Sequence, residues 1–147
     1  MKLTTKGRHA ITAMLELALH QKKGPVTLAD ISSQQSISIS YLEQLFAKLR
    51  QNGLVTGMRG PGGGYCLARP ADEITIAQVL NAVDDLVKLQ EMPLAEREIP
   101  GSLLMWRHLS NQVYDYLDGI TLAETVEMQK ENSQSALFHS DLQKSAA

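Results

Sequence analysis

Apolar residues recur every three or four positions in several short stretches of this chain, each bounded by residues that start or stop helices. Ile11, Met14, Leu15, Ala18 and Leu19 mark one buried helix face behind a cap at Thr4 or Thr5. Lys22-Lys23-Gly24-Pro25 then brings the cations, glycine and proline that end a helix. Thr27-Leu28-Ala29-Asp30 has the Thr-x-x-acid spacing of a helix start, here a short helix through Ile31 to about Gln34. After a polar connection, Ser38 or Ser40 can cap a stronger helix, with Leu42, Leu45, Phe46 and Leu49 at i, i+3, i+4 and i+7 and a stop at Asn52-Gly53. The pattern then shortens to two strand candidates, 54–58 and 65–68, joined by Arg59-Gly60-Pro61-Gly62-Gly63-Gly64. Short helix, turn, capped helix and glycine-tipped hairpin are the parts of a winged helix-turn-helix.

Beyond Arg69-Pro70, residues 74–83 predict a helix capped by Thr75. Residues 84–101 are weakly patterned, contain Pro93 and Pro100, and are expected to be mainly loop. A longer helix is expected over 102–117, with Leu103, Trp106, Leu109, Val113, Tyr116 and Leu117 apolar and Asp118-Gly119 as its stop. That stripe exceeds what a small domain can cover, so these residues serve core or dimer packing. Thr121-Leu122-Ala123-Glu124 is a capping box for a last helix to about Lys130, and the polar, Ser/Gln-rich remainder, 131–147, is expected to be a disordered tail. No internal repeat is visible. The expected fold class is mainly α, with a winged helix-turn-helix domain and its linker helix over 1–83.

With 147 residues, 44% of them hydrophobic and 20% charged, the chain has the composition of a globular protein with one compact core or two small ones. No apolar run approaches the roughly eighteen residues of a membrane span, and Met1 to Lys6 lacks the layout of a signal peptide, so a cytoplasmic protein with no membrane partner is expected. The net charge of −2 conceals an asymmetry. Residues 1–70 hold nine Lys/Arg against three acids, whereas the rest holds five against thirteen. A basic half beside an acidic half is the footprint of a protein that meets a polyanion with one part only. Two phenylalanines and one tryptophan are too few for a single-strand stacking platform, so duplex DNA is the expected polyanion.

The glycine cluster is not followed by Gly-Lys-Ser/Thr or by a helix, which removes the nucleotide-binding reading. As a wing, Gly60, Pro61 and Gly62 let backbone approach DNA closely, and Arg59 at the loop base is the cation suited to a phosphate or a narrow minor groove. The apolar stripe of the preceding helix leaves Ser38, Ser40, Tyr41, Glu43 and Gln44 outward near its start, with Lys48 further along. Gln can read an adenine edge, Glu a cytosine amino group, and hydroxyls a phosphate. The bland alternative is a solvated helix face. His9, His20, His108 and His139 do not cluster, and no nucleophile arrangement is present, so nothing argues for an enzyme. Cys66, the single cysteine, cannot form an internal disulfide or a cysteine-rich metal site within one chain. It reads as a small packed hydrophobe, with redox sensing as the alternative.

Four segments in order carry a resemblance: Met1 to Ala10, Leu28-Ala29-Asp30-Ile31-Ser32, Ser40-Tyr41-Leu42-Glu43-Gln44-Leu45-Phe46, and Val55 to Tyr65. They resemble the IscR-like members of the Rrf-type family of bacterial winged-helix transcription regulators, densely over 1–83 and more thinly through Glu124. The resemblance implies a cytoplasmic, nucleoid-associated homodimer. Its dimerisation and terminal helices would lie in 102–130, with the long helix crossing its mate through Trp106, Leu109, Val113, Tyr116 and Leu117. The two recognition helices would enter successive major grooves of a near-palindromic operator. It also places Ser40, Tyr41, Glu43, Gln44 and Arg59 on DNA.

One departure is large. These regulators hold a [2Fe–2S] cluster with three cysteines and a histidine between the linker helix and the long helix, at the position of 84–101. Here Asp84 to Trp106 contains neither residue type. Glu91, Glu96, Glu98 and His108, the nearest donors, are poorly matched to a thiolate-held cluster, so no cofactor is expected. The expected function is a sequence-specific transcription regulator, repressing or activating, without a conventional cluster. The alternatives are a Cys66-based redox regulator and a winged-helix module whose acidic half recruits a protein such as RNA polymerase.

Overall fold

The computed structural model describes residues 4–84 and 100–145, with 137–145 as backbone alone. Helices α1 (Thr5–Leu19), α2 (Leu28–Gln35) and α3 (Ile39–Gln51) lead into strands β1 (Val55–Met58) and β2 (Gly64–Leu67). A 3-10 turn at Ala71–Glu73 is followed by α4 (Ile76–Asp84), α5 (Gly101–Asp118) and α6 (Leu122–Ser145). This is the mainly α winged helix-turn-helix with C-terminal helices that the sequence predicts.

Helix starts follow local chemistry. Thr4, not Thr5, caps α1 by accepting the Gly7 N–H at 3.1 Å, and Thr27 caps α2 by accepting the Asp30 N–H. Ser38, not Ser40, caps α3 through the Tyr41 N–H at 3.3 Å. Thr75 and Gln78 exchange hydrogen bonds at the head of α4, as do Thr121 and Glu124 at the head of α6, each pair satisfying two otherwise orphaned donors. Helix α1 stops at Leu19, short of Lys22-Lys23, where His20 closes it onto the Glu16 carbonyl.

Ala10, Ala13, Met14 and Leu17 of α1 meet Ile31 of α2, Leu42, Leu45, Phe46 and Leu49 of α3, Val79, Leu80 and Val83 of α4, and Leu122 of α6 in one buried cluster. Each large side chain so buried contributes about 1.5–3 kcal/mol. The strands pair antiparallel, Val55 opposite Leu67 and Thr56 opposite Cys66. Val26 exchanges both backbone hydrogen bonds with Tyr65, at 3.0 and 2.8 Å, adding an isolated rung to the hairpin. At the other end the Ile76 N–H donates to the Ile120 carbonyl and the Leu122 N–H to that of Ile74, tying the α5–α6 corner to α4.

Two boundaries differ from the sequence reading. The loop assigned to 84–101 loses its ends, since Asp84 completes α4 and Gly101 opens α5; residues 85–99, with Glu91, Pro93, Glu96 and Glu98, lie outside the described residues. The tail assigned to 131–147 is helical through Ser145, because no glycine or proline follows Gly119 and the backbone can continue without a break even though residues 127–136 are exposed.

Candidate nucleic-acid interface

Helices α2 and α3 are joined by a turn in which Ser36 takes the left-handed conformation, at φ 55°, and Ile37 is buried as its anchor. With Leu42, Leu45, Phe46 and Leu49 turned into the core, periodicity dictates what faces away. Ser38, Ser40, Glu43 and Gln44 are exposed, while Tyr41 and Lys48 are half-buried. Tyr41 stands edge-to-face against His9 of α1, with ring centroids 5.6 Å apart and planes at 81°. Lys48 and Arg50 occupy the last turn of α3, where cations complement the helix dipole and leave the polar start of the helix with its own partial positive charge.

The wing is fixed to this helix through its base. Tyr65 of β2 packs on Phe46 of α3 at 4.7 Å between ring centroids. At the tip the Gly63 N–H donates to the Gly60 carbonyl at 2.9 Å. Pro61 and Gly62, the latter at φ 76°, fill the central positions of a type II turn, which demands a positive φ at the second. Arg59, Gly60, Pro61 and Gly62 are all exposed. A concavity of about 460 Å³ lies between helix and wing, lined by Glu43, Ala47, Arg50, Gln51 and Tyr65. The helix residues singled out from sequence therefore share one exposed face, and the wing residues share the neighbouring tip. Arg50 was not singled out, although its place seven residues after Glu43 puts it on the same stripe.

The apolar residues expected for dimer packing divide. No residue of α5 is buried, and Trp106, Leu109 and Tyr116 are exposed, Tyr116 at 70%. Val113 and Leu117 are half-buried, and Leu117 packs on the core of the same chain. Cys66, on β2 and half-buried, is a free thiol whose sulfur lies 3.8 Å from that of Met58. Among the described residues no three His, Cys, Asp or Glu side chains are grouped to hold a metal. With one cysteine in the chain and that one on the wing, the donors do not fit the thiolate-rich set of a conventional [2Fe–2S] cluster.

Comparison with known proteins accounts for this architecture. Residues 3–128 match the family model Rrf2, described as an iron-dependent transcriptional regulator. The HTH-type transcriptional regulator IscR of Erwinia tasmaniensis is 50% identical over 149 residues, covering 99% of this chain and 87% of the relative. Among solved structures, the global cysteine regulator CymR of B. subtilis superposes with a TM-score of 0.76 at 34% identity, covering 87% of this chain and 98% of the other. IscR of T. potens gives the same TM-score at 33% identity, covering 90% of each. These are regulators with a helix-turn-helix and not enzymes, and with a match over nearly the whole chain this protein belongs to the Rrf2 family of transcriptional regulators.

Proposed function

We propose that the protein acts as a homodimer, that it reads a near-palindromic duplex operator through α3 and the wing, and that it does so without a conventional iron–sulfur cluster. The observation that carries the proposal is the pairing of a polar helix start, with Ser38, Ser40, Glu43 and Gln44 exposed, with an exposed Arg59 on a hairpin packed against the same helix. Ser38, Ser40, Tyr41 and Lys48 supply donors for phosphates, Glu43 and Gln44 meet base edges, and Arg59 enters the minor groove or neutralises a phosphate while Gly60, Pro61 and Gly62 let the backbone follow.

The unburied face of α5 supports the dimer. Six large apolar residues (Leu103, Leu104, Met105, Trp106, Leu109 and Tyr116) are exposed on a helix of eighteen residues, and a second copy of the same helix removes from water those that share the face of Trp106, Leu109 and Tyr116. A twofold pairing also sets the two recognition helices to half-sites about one DNA turn, roughly 34 Å, apart.

Duplex binding followed by fluorescence anisotropy across a salt series tests the DNA function. Affinity is expected to fall steeply as counterions compete, and binding that ignores salt would return the protein to the protein-interaction class. Sedimentation equilibrium is expected to give twice the chain mass. An anaerobic visible absorption spectrum of freshly purified protein is expected to be featureless, and strong charge-transfer bands would show a cluster held by residues outside the usual set.

A further inference from the structure

Among the described residues, one side-chain polar atom is shut away from solvent with no hydrogen-bond partner: Nδ1 of His9. Such atoms are rare in folded proteins and call for an explanation. His9 sits on the second turn of α1, and the aromatic ring it meets is that of Tyr41, on the first turns of α3. Its Nδ1 gains nothing from this site, and the contact the imidazole makes there is ring against ring.

Tyr41 is thus held twice. Its backbone N–H donates to Oγ of Ser38, the cap of α3, and its ring is braced edge-to-face from a different helix. The rest of the first turn, Ser38, Ile39 and Ser40, is exposed and lacks such a wall. Helix α1 is itself set into the core by Ala10, Ala13, Met14 and Leu17, so the brace is carried by a helix anchored in the core.

We infer that His9 is a positioning residue for DNA recognition, fixing Tyr41 and with it the start of α3 in the geometry that meets bases. The inference rests on the proposal that Tyr41 contacts DNA. Bracing before binding removes part of the ordering cost of the complex, and it does so only where the contact demands a defined Tyr41 geometry. Loss of the brace therefore weakens binding to the preferred sequence and leaves loose electrostatic binding to any duplex unchanged.

The test uses a duplex selected by the wild-type protein from a randomised pool, beside an unrelated duplex of the same length. His9→Ala is expected to weaken binding to the selected duplex by about tenfold while binding to the unrelated duplex stays within about twofold. His9→Phe keeps a ring and removes the unpartnered Nδ1. It is expected to restore the selected-duplex affinity and to melt no lower than wild type. In a Tyr41→Ala background, His9→Ala is expected to add nothing further. Three outcomes overturn the inference: equal weakening on both duplexes, no rescue by Phe, or undiminished loss in the Tyr41→Ala background. If Tyr41→Ala itself leaves the selected duplex bound as before, the proposed role of Tyr41 on DNA fails first, and is thereby distinguished from failure of the brace.

Discussion

The hydroxyl of Thr4 donates to Oδ2 of Asp84 at 2.5 Å, joining the cap of α1 to the last residue of α4 across eighty positions of sequence. The same oxygen accepts the Gly7 N–H, and Gly7 is buried where an added Cβ would lie 2.7 Å from both Asp84 Oδ2 and Leu80 Cδ2. Thr4→Val removes both hydrogen bonds and is expected to cost about 1–2 kcal/mol, seen as a melting temperature lower by several degrees. Thr4→Ser keeps both bonds and is expected to melt near wild type. Equal melting of the valine variant would mean that the junction is not a source of stability.

Gly64 meets a harder obstacle. A Cβ at this position would sit 2.5 Å from the Val26 carbonyl oxygen, a backbone atom that cannot rotate away. Gly64→Ala is expected to destabilise the domain by about 1–3 kcal/mol and to displace the rung between Val26 and Tyr65. Amide chemical shifts at those two residues report the displacement directly, and unchanged shifts would show that the hairpin tolerates the methyl.

Arg59→Ala tests the wing. Arg59 is exposed, so folding stability is expected to be unchanged. Duplex affinity is expected to fall, with the slope of log affinity against log salt reduced by about one if a phosphate is lost. Flattened discrimination among sequences of differing minor-groove width would assign Arg59 to shape reading instead. Wild-type affinity in this variant would remove the wing from recognition.

Trp106→Asp and Leu109→Asp place a charge on a helix face that is largely exposed in the single chain, so the fold of one chain has less to lose there than a dimer has. Sedimentation is expected to shift from dimer to monomer. The wild-type melting temperature, unlike that of the variants, is expected to rise with protein concentration. A concentration-independent melt in wild type would indicate that these apolar residues meet something other than a second copy.

The parts of the fold legible in the sequence are those built by neighbours. Thr27 with Asp30 and Thr121 with Glu124 are three residues apart, so their hydrogen bonds can be read from spacing, whereas at α3 spacing alone leaves Ser38 and Ser40 as equal candidates. The stripe at Leu42, Leu45, Phe46 and Leu49 likewise declares which side of α3 is free. Contacts across the fold leave no such trace. Nothing local marks Thr4 for Asp84, His9 for Tyr41, or Val26 for Tyr65, and a single β-rung is too short to carry an alternating pattern. Polar composition marks no stop in α6, which runs to Ser145 with no glycine or proline after Gly119 to break it.

The rung between Val26 and Tyr65 divides the hairpin into two mechanical regimes. Its base is tied by backbone hydrogen bonds to the segment before α2 and by the Tyr65 ring to Phe46, so it can open only when the core opens. The amides of Val26 and Tyr65 should accordingly exchange with deuterium on the timescale of global unfolding, and that of Gly62 far sooner. If Arg59 meets DNA as proposed, it does so from the untied end of a hairpin whose root is held by the core, so that it adjusts to a groove while the wing keeps its orientation.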